Sequence, residues 1–347
     1  MKALAVVEPG RLETVEIPPP EIGEFEALVR IEACGICSTT DRELIHGRQP
    51  FHSKYPCILG HESVGTVVET GSRVSSFRVG DMVTRPVAIW PGEERDGFAS
   101  AWGGFAEYGI VRDAKAAAAN GSEAWMQDYT AQRQMVINPS LSLPDAVLSI
   151  SLAETASWAN HLPPVGGKTV VIAGTGIAGL SIALWCKLAR AEKIIVLGRR
   201  DERLALARTL GADDVINTRI CTAFPPRAKE ILGGGADLFV EAVGDPDMVS
   251  HGLACLRSGG TVAIYGVSEG HRHTVSWSQA PSPASILLPP VEEHLSRHWV
   301  ESAILEKWIP TGQLMTHQFG WKDVKPAFDS VFQGRTVKAM VAMCCSN

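Results

Sequence analysis

Thr169-Val170-Val171-Ile172-Ala173-Gly174-Thr175-Gly176-Ile177-Ala178-Gly179 reads as a strand, a glycine turn and the start of a helix. A G-x-G-x-x-G pattern alone is weak. Placed directly after an apolar run and opening a helical segment (Ile177 to Arg190), it is the turn that cradles a dinucleotide pyrophosphate. Gly174 permits the tight turn, Gly176 lets backbone approach the phosphates, and Gly179 lets helix pack on strand. Thr175, Ile177 and Ala178 fill the positions between, where unpaired helix N–H groups meet negative charge. The bland alternative is an ordinary glycine-rich strand-to-helix turn.

Outward from this turn the texture repeats. Ile194-Ile195-Val196-Leu197 is a second apolar run, and a helix is expected over Glu202 to Leu210 with Gly211 as its stop. Leu238-Phe239-Val240 and Thr261-Val262-Ala263-Ile264-Tyr265 are later runs of the same kind. Strands alternating with helices predict a parallel, doubly wound α/β sheet. The residue that distinguishes NAD from NADP stands at the end of the second strand, and an acidic side chain there would bond the ribose 2′-hydroxyl. This chain has Gly198-Arg199-Arg200 instead. Two guanidiniums suit a 2′-phosphate, so NADP is expected before NAD. Asp201 opposes that reading, and a solvated arginine pair is its bland counterpart. Val243, Gly244, Gly266 and Val267, beside the later runs, are further expected cofactor contacts.

The first 110 residues look different. Ala27 to Ile31, Val64 to Val68 and Met82-Val83 are short β-like runs separated by Pro18-Pro19-Pro20, Gly60, Gly71 and Gly80-Asp81, which suggests a partly open barrel or sandwich. From about Val87 to Gln134 the periodicity fades, and surface loops or a substrate-facing insertion are expected. Trp90, Trp102, Phe105, Tyr108, Trp125 and Tyr129 make disorder a poor fit there. With 347 residues, two domains are the default at roughly 100–200 residues each. A net charge of -6 offers no reason to seek nucleic acid or an anionic membrane. Ala3 to Val7 is too short for a signal segment, and no run is long enough to span a bilayer. Eight scattered cysteines in a long chain suggest a reducing, cytoplasmic setting. Cys34-Gly35-Ile36-Cys37 is also the spacing of a redox-active pair.

Cys37, His61, Glu62 and the distant Glu154 are candidate metal ligands. Thiolate, imidazole and carboxylate with one open position make a catalytic zinc site. Singly, each has a plainer reading: a small core cysteine, a histidine closing a turn after Gly60, a charge on a helix surface.

Ala33-Cys34-Gly35-Ile36-Cys37, Gly60-His61-Glu62, Val79-Gly80-Asp81-Met82-Val83 and Gly103-Gly104-Phe105-Ala106-Glu107-Tyr108 precede the glycine turn in that order. The set resembles the zinc-containing medium-chain dehydrogenase/reductase superfamily over nearly the whole chain. Thr40-Asp41-Arg42-Glu43 and the lack of a second cysteine cluster resemble its glucose and polyol dehydrogenase branches. The resemblance implies a GroES-like, mostly-β catalytic domain (1–156), a Rossmann cofactor domain (157–290) and a return to the catalytic domain (291–347). It implies Cys37, His61 and Glu62 at or near one zinc, Glu154 as an exchangeable fourth ligand, and Lys338 at the cofactor phosphates. No cysteine lies between Asp81 and Leu152, so no structural zinc is expected. Relatives commonly read Cys-x-Ser/Thr-Asp, whereas this chain has Cys37-Ser38-Thr39-Thr40-Asp41. Counting from the cysteine makes Thr39 the proton relay; counting back from Asp41 makes it Thr40 and puts Ser38 at the ligand position.

The expected activity is hydride transfer between a small alcohol and NADP, in a homodimer or homotetramer joined through the cofactor domain. Thr261 to Val267 is expected to offer a sheet edge there. A sugar, cyclitol or polyol is the favoured substrate, its hydroxyls bonded by Glu93, Glu94, Arg95, Asp96 and Glu107. An aromatic or aliphatic alcohol, with Trp90, Trp102, Trp125 or Trp158 lining the pocket, is the alternative. A zinc-free quinone or enoyl reductase, a dinucleotide-binding protein without catalysis and a redox-active thiol protein are the rivals.

Overall fold

The computed structural model describes residues 1–50, 52, 54–266, 273 and 275–343. The chain divides into two compact units, Met1–Ile150 with Arg297–Asn347, and Ser151–Ser296. Among the described residues no helix is long and apolar enough to cross a membrane.

The first unit opens with a hairpin of β1 (Lys2–Glu8) and β2 (Arg11–Glu16), followed by the long β3 (Glu26–Ile36) and the short helix α1 (Thr40–Ile45). Then come β4 (Cys57–Ile58), β5 (Glu62–Thr70), β6 (Met82–Thr84), β7 (Glu94–Arg95), β8 (Phe98–Ser100) and β9 (Tyr108–Arg112). Helix α2 (Ala114–Ala119) follows, and α3 (Leu143–Asn160) leads into the second unit. Hydrogen bonding orders one sheet β2-β1-β4-β8-β7, while β3 is flanked by β5 and β9 in another. Alternating residues of β3 (Ala27, Val29, Ile31) are buried, the period expected of a strand with one face on a core. The stretch from Val87 to Gln134 is more ordered than its sequence suggests. It contributes β7, β8 and β9, and Trp90 and Phe105 are buried. The pairings of β8 with β4 and of β9 with β3 join distant residues, which local periodicity does not report.

Asp113 locks this region. Its carboxylate accepts from the backbone N–H groups of Ser75 (2.8 Å), Ser76 (2.7 Å) and Ala116 (2.9 Å), capping α2 and tying it to a turn. Burial would raise its pKa, but these donors outweigh burial and hold it below the ordinary carboxylate value. A depressed folded-state pKa adds stability above the unfolded value of about 3.9 and loses it as pH falls through the folded value. Asp113→Ala is expected to cost about 2 kcal/mol near neutrality. In urea unfolding followed at several pH values, the gap from wild type should close only in acid.

The second unit is the predicted α/β layer. Strand β10 (Thr169–Ala173) leads through the glycine turn to α4 (Ile177–Leu188), then β11 (Lys193–Gly198), α5 (Asp201–Thr209), β12 (Asp214–Asn217) and α6 (Phe224–Leu232). After these come β13 (Ala236–Glu241), α7 (Met248–Cys255), β14 (Leu256–Ile264) and β15 (Ser285–Leu287). All six strands are parallel, in the order β12-β11-β10-β13-β14-β15. Val170, Val171, Ile172, Ile194, Ile195 and Val196 are fully buried, as strands covered on both faces require. From β10 the chain runs outward one way to β12, then returns to β13 on the other side. The crevice at that reversal is where such sheets take ligands. One expectation is corrected here. Residues Thr261 to Ala263 are not an edge, because β15 pairs with them in register. That covering strand, β15, is the sixth and last of the sheet.

The last segment carries α8 (Glu293–Leu305), α9 (Thr311–Leu314), β16 (Met315–Gly320), α10 (Val324–Phe332) and β17 (Lys338–Ala342). Strand β17 pairs antiparallel with the end of β3, joining Ile36 to Ala339 and Gly35 to Met340. The chain's end thus completes the sheet β16-β17-β3-β5-β6 of the first unit.

Candidate active site

The donor atoms of Cys37, His61 and Glu62 lie within 4.8 Å of one another. Cys37 follows the end of β3, His61 precedes β5, and Glu62 begins it. Gly35 pairs with Glu62 across that ladder, so sheet register brings together residues far apart in sequence. Ser38 is exposed. Thiolate, imidazole and carboxylate in one cluster, with Cys37 and His61 half-buried, fit a zinc ion.

Asp41 is the residue that sequence reasoning passed over. Fully buried on α1, it accepts from the Cys37 backbone N–H at 2.9 Å. Its other oxygen stands 3.3 Å from His61 Nδ1, an ion-pair contact off the hydrogen-bond direction. A carboxylate behind a ligating histidine fixes its ring and leaves Nε2 for a metal. Burial pulls the His61 pKa down, but Asp41 and then Cys37 outweigh it and hold it well above the ordinary value. Asp41→Asn is expected to weaken zinc binding about 10–100-fold without unfolding the chain. Competition with a chromophoric chelator, beside a melting curve, checks this.

Glu62 is buried and takes a hydrogen bond from Lys338. Burial opposes its ionisation, yet Lys338, His61 and Arg85 together depress its pKa. The resemblance expects Lys338 at the cofactor phosphates. In this structure its side chain is 2% exposed and its ammonium is engaged with Glu62. Arg85 and Trp102 also went unrecognised as neighbours of His61. The Arg85 guanidinium donates to the His61 carbonyl, and the Trp102 ring lies 5.3 Å from the imidazole. Both hold positive φ (54° and 65°), unusual for such side chains. A backbone dihedral imposed by tertiary packing leaves no sequence signal. Thr39 is exposed and makes no side-chain capping bond to α1, and Thr40 is half-buried.

Cys34 is fully buried. Burial, followed by the charge of Asp41, pushes its thiol well above the ordinary value. A redox-active pair needs the opposite, a depressed thiol.

The expected cofactor residues of the second unit gather at the carboxyl ends of its strands. Gly174 has φ +124°, and a Cβ there would stand 2.7 Å from the Ala242 carbonyl oxygen. At Gly179 a Cβ would lie 2.2 Å from the Gly174 oxygen, so no side chain fits. Thr175 and Gly176 complete the turn, and Ile177 and Ala178 open α4. Gly198 ends β11; Arg199 is exposed and Arg200 precedes α5. Asp201 accepts from Asn217 Nδ2 at 2.7 Å. Arg203, buried on α5, is a third guanidinium here that sequence reasoning missed; burial, then Arg200, pushes its pKa down to about 10. Val243 and Gly244 donate backbone N–H groups to Glu241, and Gly266 follows β14. Val267 lies outside the described residues. Glu154 belongs to the second unit, half-buried on α3.

The side chains expected to bind substrate hydroxyls are engaged elsewhere. Glu93 pairs with Arg112 (3.2 Å) and Glu94 with Lys54 (2.5 Å). Arg95 pairs with Asp96 at 3.3 Å, and Glu107 accepts from the Lys2 backbone at 2.7 Å.

A mostly-β unit with a thiolate–imidazole–carboxylate cluster, in one chain with a glycine-turn nucleotide unit, defines a metal-assisted dehydrogenase architecture. Residues 23–121 match the alcohol dehydrogenase GroES-like domain family, and residues 177–285 match the zinc-binding dehydrogenase family. An alcohol dehydrogenase from Cupriavidus necator is 30% identical over 367 aligned positions, covering 95% of this chain and 94% of that one. Sorbitol dehydrogenase from Bacillus subtilis is 30% identical over 273 positions, covering 77% and 75%. A protein described as a zinc-binding dehydrogenase, from Sinorhizobium meliloti 1021 and solved bound to NADP, superposes with a TM-score of 0.79 at 23% identity over 99% of each chain. The chain belongs to the zinc-containing medium-chain alcohol dehydrogenase superfamily.

Proposed function

We propose that this protein is an NADP-preferring zinc alcohol dehydrogenase, moving a hydride between the carbinol carbon of a primary or secondary alcohol and the nicotinamide. The observation that carries this is the gathering of Cys37, His61 and Glu62 donor atoms within 4.8 Å. These three residues would hold one zinc, and the resemblance adds Glu154 as an exchangeable fourth ligand. When bound, the metal supplies Lewis acidity toward the alcohol or carbonyl oxygen, and the dinucleotide takes or gives the hydride. The chain's residues do the rest. Asp41 orients the His61 ring and anchors the backbone of Cys37. Thr39 or Thr40 carries the hydroxyl proton outward. Glu62 stays ionised beside Lys338. Arg199 and Arg200 clamp the 2′-phosphate as charge-assisted forks.

A sugar, cyclitol or polyol preference draws support from the resemblance and from the sorbitol dehydrogenase relative, and none from the engaged side chains of residues 93–107. A homodimer or homotetramer in the cytoplasm rests on the resemblance. A zinc-free quinone or enoyl reductase has no use for the Cys37–His61–Glu62 cluster. Metal analysis with a substrate screen, following NADPH absorbance across polyols and aromatic alcohols, tests the proposal. Protein that holds no zinc, and that reduces quinones or enoyl compounds instead, sinks it.

A further inference from the structure

We propose that Trp102 is a specificity-determining residue whose indole forms the apolar wall of the substrate site beside His61, favouring alcohols with an aromatic ring next to the carbinol over open-chain polyols. This rests on the alcohol dehydrogenase reading above.

Trp102 is the member of its group that meets the metal cluster. Trp90 and Trp125 both stack on Arg112, at 3.7 Å and 4.7 Å from its guanidinium carbon. Trp158 is 1% exposed and packs edge-on against Tyr265. Trp102 is half-buried, and its ring is tilted 51° to the His61 imidazole at 5.3 Å.

The placement is built. A bulky residue at φ +65° is held against its intrinsic preference by its surroundings. The Trp102 backbone N–H donates to Ser100 Oγ at 3.1 Å, and that hydroxyl donates to the Ile89 carbonyl at 2.6 Å. Ala101 donates to the Ile58 carbonyl at 2.9 Å and Gly104 to the Gly60 carbonyl at 2.7 Å, so the loop is pinned on both sides of Trp102 to the strand and turn that carry His61.

The chemistry follows from that position. A substrate oxygen directed at the Cys37–His61–Glu62 cluster puts its first carbons within a few ångströms of the imidazole, and so beside the indole. Aromatic rings attract one another at centroid separations of about 4.5–7 Å. A polyol at the same face would strip water from hydroxyls that find no partner on an indole. The carboxylates that might have supplied partners, Glu93, Glu94 and Glu107, are already bonded.

The test compares Trp102→Ala and Trp102→Phe with wild type on benzyl alcohol and sorbitol. Trp102→Ala should lower kcat/KM for benzyl alcohol about tenfold and change that for sorbitol less than about twofold, while Trp102→Phe keeps most of the benzyl alcohol activity. Calorimetry with an unreactive aromatic amide should show about tenfold weaker binding to Trp102→Ala at unchanged zinc content and melting temperature. If the alanine variant does not fold, Trp102→Leu takes its place. Wild-type preference for sorbitol, equal losses on both alcohols, or unaltered amide affinity overturns the inference. Failure of the dehydrogenase reading looks different: the wild type would hold no zinc and oxidise neither alcohol, while amide binding would still report on the indole.

Discussion

His61→Ala is expected to strip the protein of zinc and to lower alcohol turnover at least about a thousandfold, the loss of several kcal/mol of transition-state stabilisation. Among the described residues three donors are grouped, and removing the imidazole leaves the Cys37 thiolate, a carboxylate already paired with Lys338, and the proposed exchangeable Glu154. Without the imidazole too few strong donors remain for a tetrahedral zinc site. It also leaves Asp41 buried without the ring it orients, so some stability is lost. The dinucleotide should still bind, because the glycine turn and Arg199–Arg200 belong to the other unit. Zinc content by elemental analysis, turnover, and NADPH affinity by fluorescence titration separate these effects. A variant retaining one zinc per chain and normal turnover would remove zinc chemistry from the account.

The second large effect concerns the nucleotide. Arg199→Ala with Arg200→Ala should raise the KM for NADP roughly a hundredfold, since hydrogen bonds to charged groups contribute about 1.5–3 kcal/mol each. NAD has no 2′-phosphate, and its KM should change less than about threefold. Arg203 sets the floor. It is a neighbouring cation whose pKa, pushed down by burial and by Arg200, still keeps it charged at neutral pH. A residual NADP preference in the double variant is therefore expected, and adding Arg203→Ala should abolish it. Equal losses for both cofactors would mean that the arginines hold the fold of the turn and do not select the phosphate.

The two units differ in how legible they are. In the second, Thr169–Ala173 appears as a strand with the boundaries read from its apolar run, and α4 begins at Ile177 directly after the glycine turn. Strands buried on both faces must be apolar throughout, and a turn that admits no side chain must be glycine, so composition records the geometry. The first unit is less transparent. Strands β7 and β8 are only two and three residues long, and their place in the sheet follows from the pairing of β8 with the distant β4.

At the metal cluster, sequence alone determined the chemistry of the donors, because only certain side chains bind zinc and their types are written in the chain. Tertiary structure decided which of them meet. The antiparallel register of β3 and β5 sets Gly35 opposite Glu62, the turn after β3 and helix α1 bring Cys37 and Asp41 to His61, and the pairing of β17 with β3 accompanies the contact of Lys338 with Glu62. Residue identity is a local property, whereas the distance between two side chains is set by every pairing in the sheet that carries them.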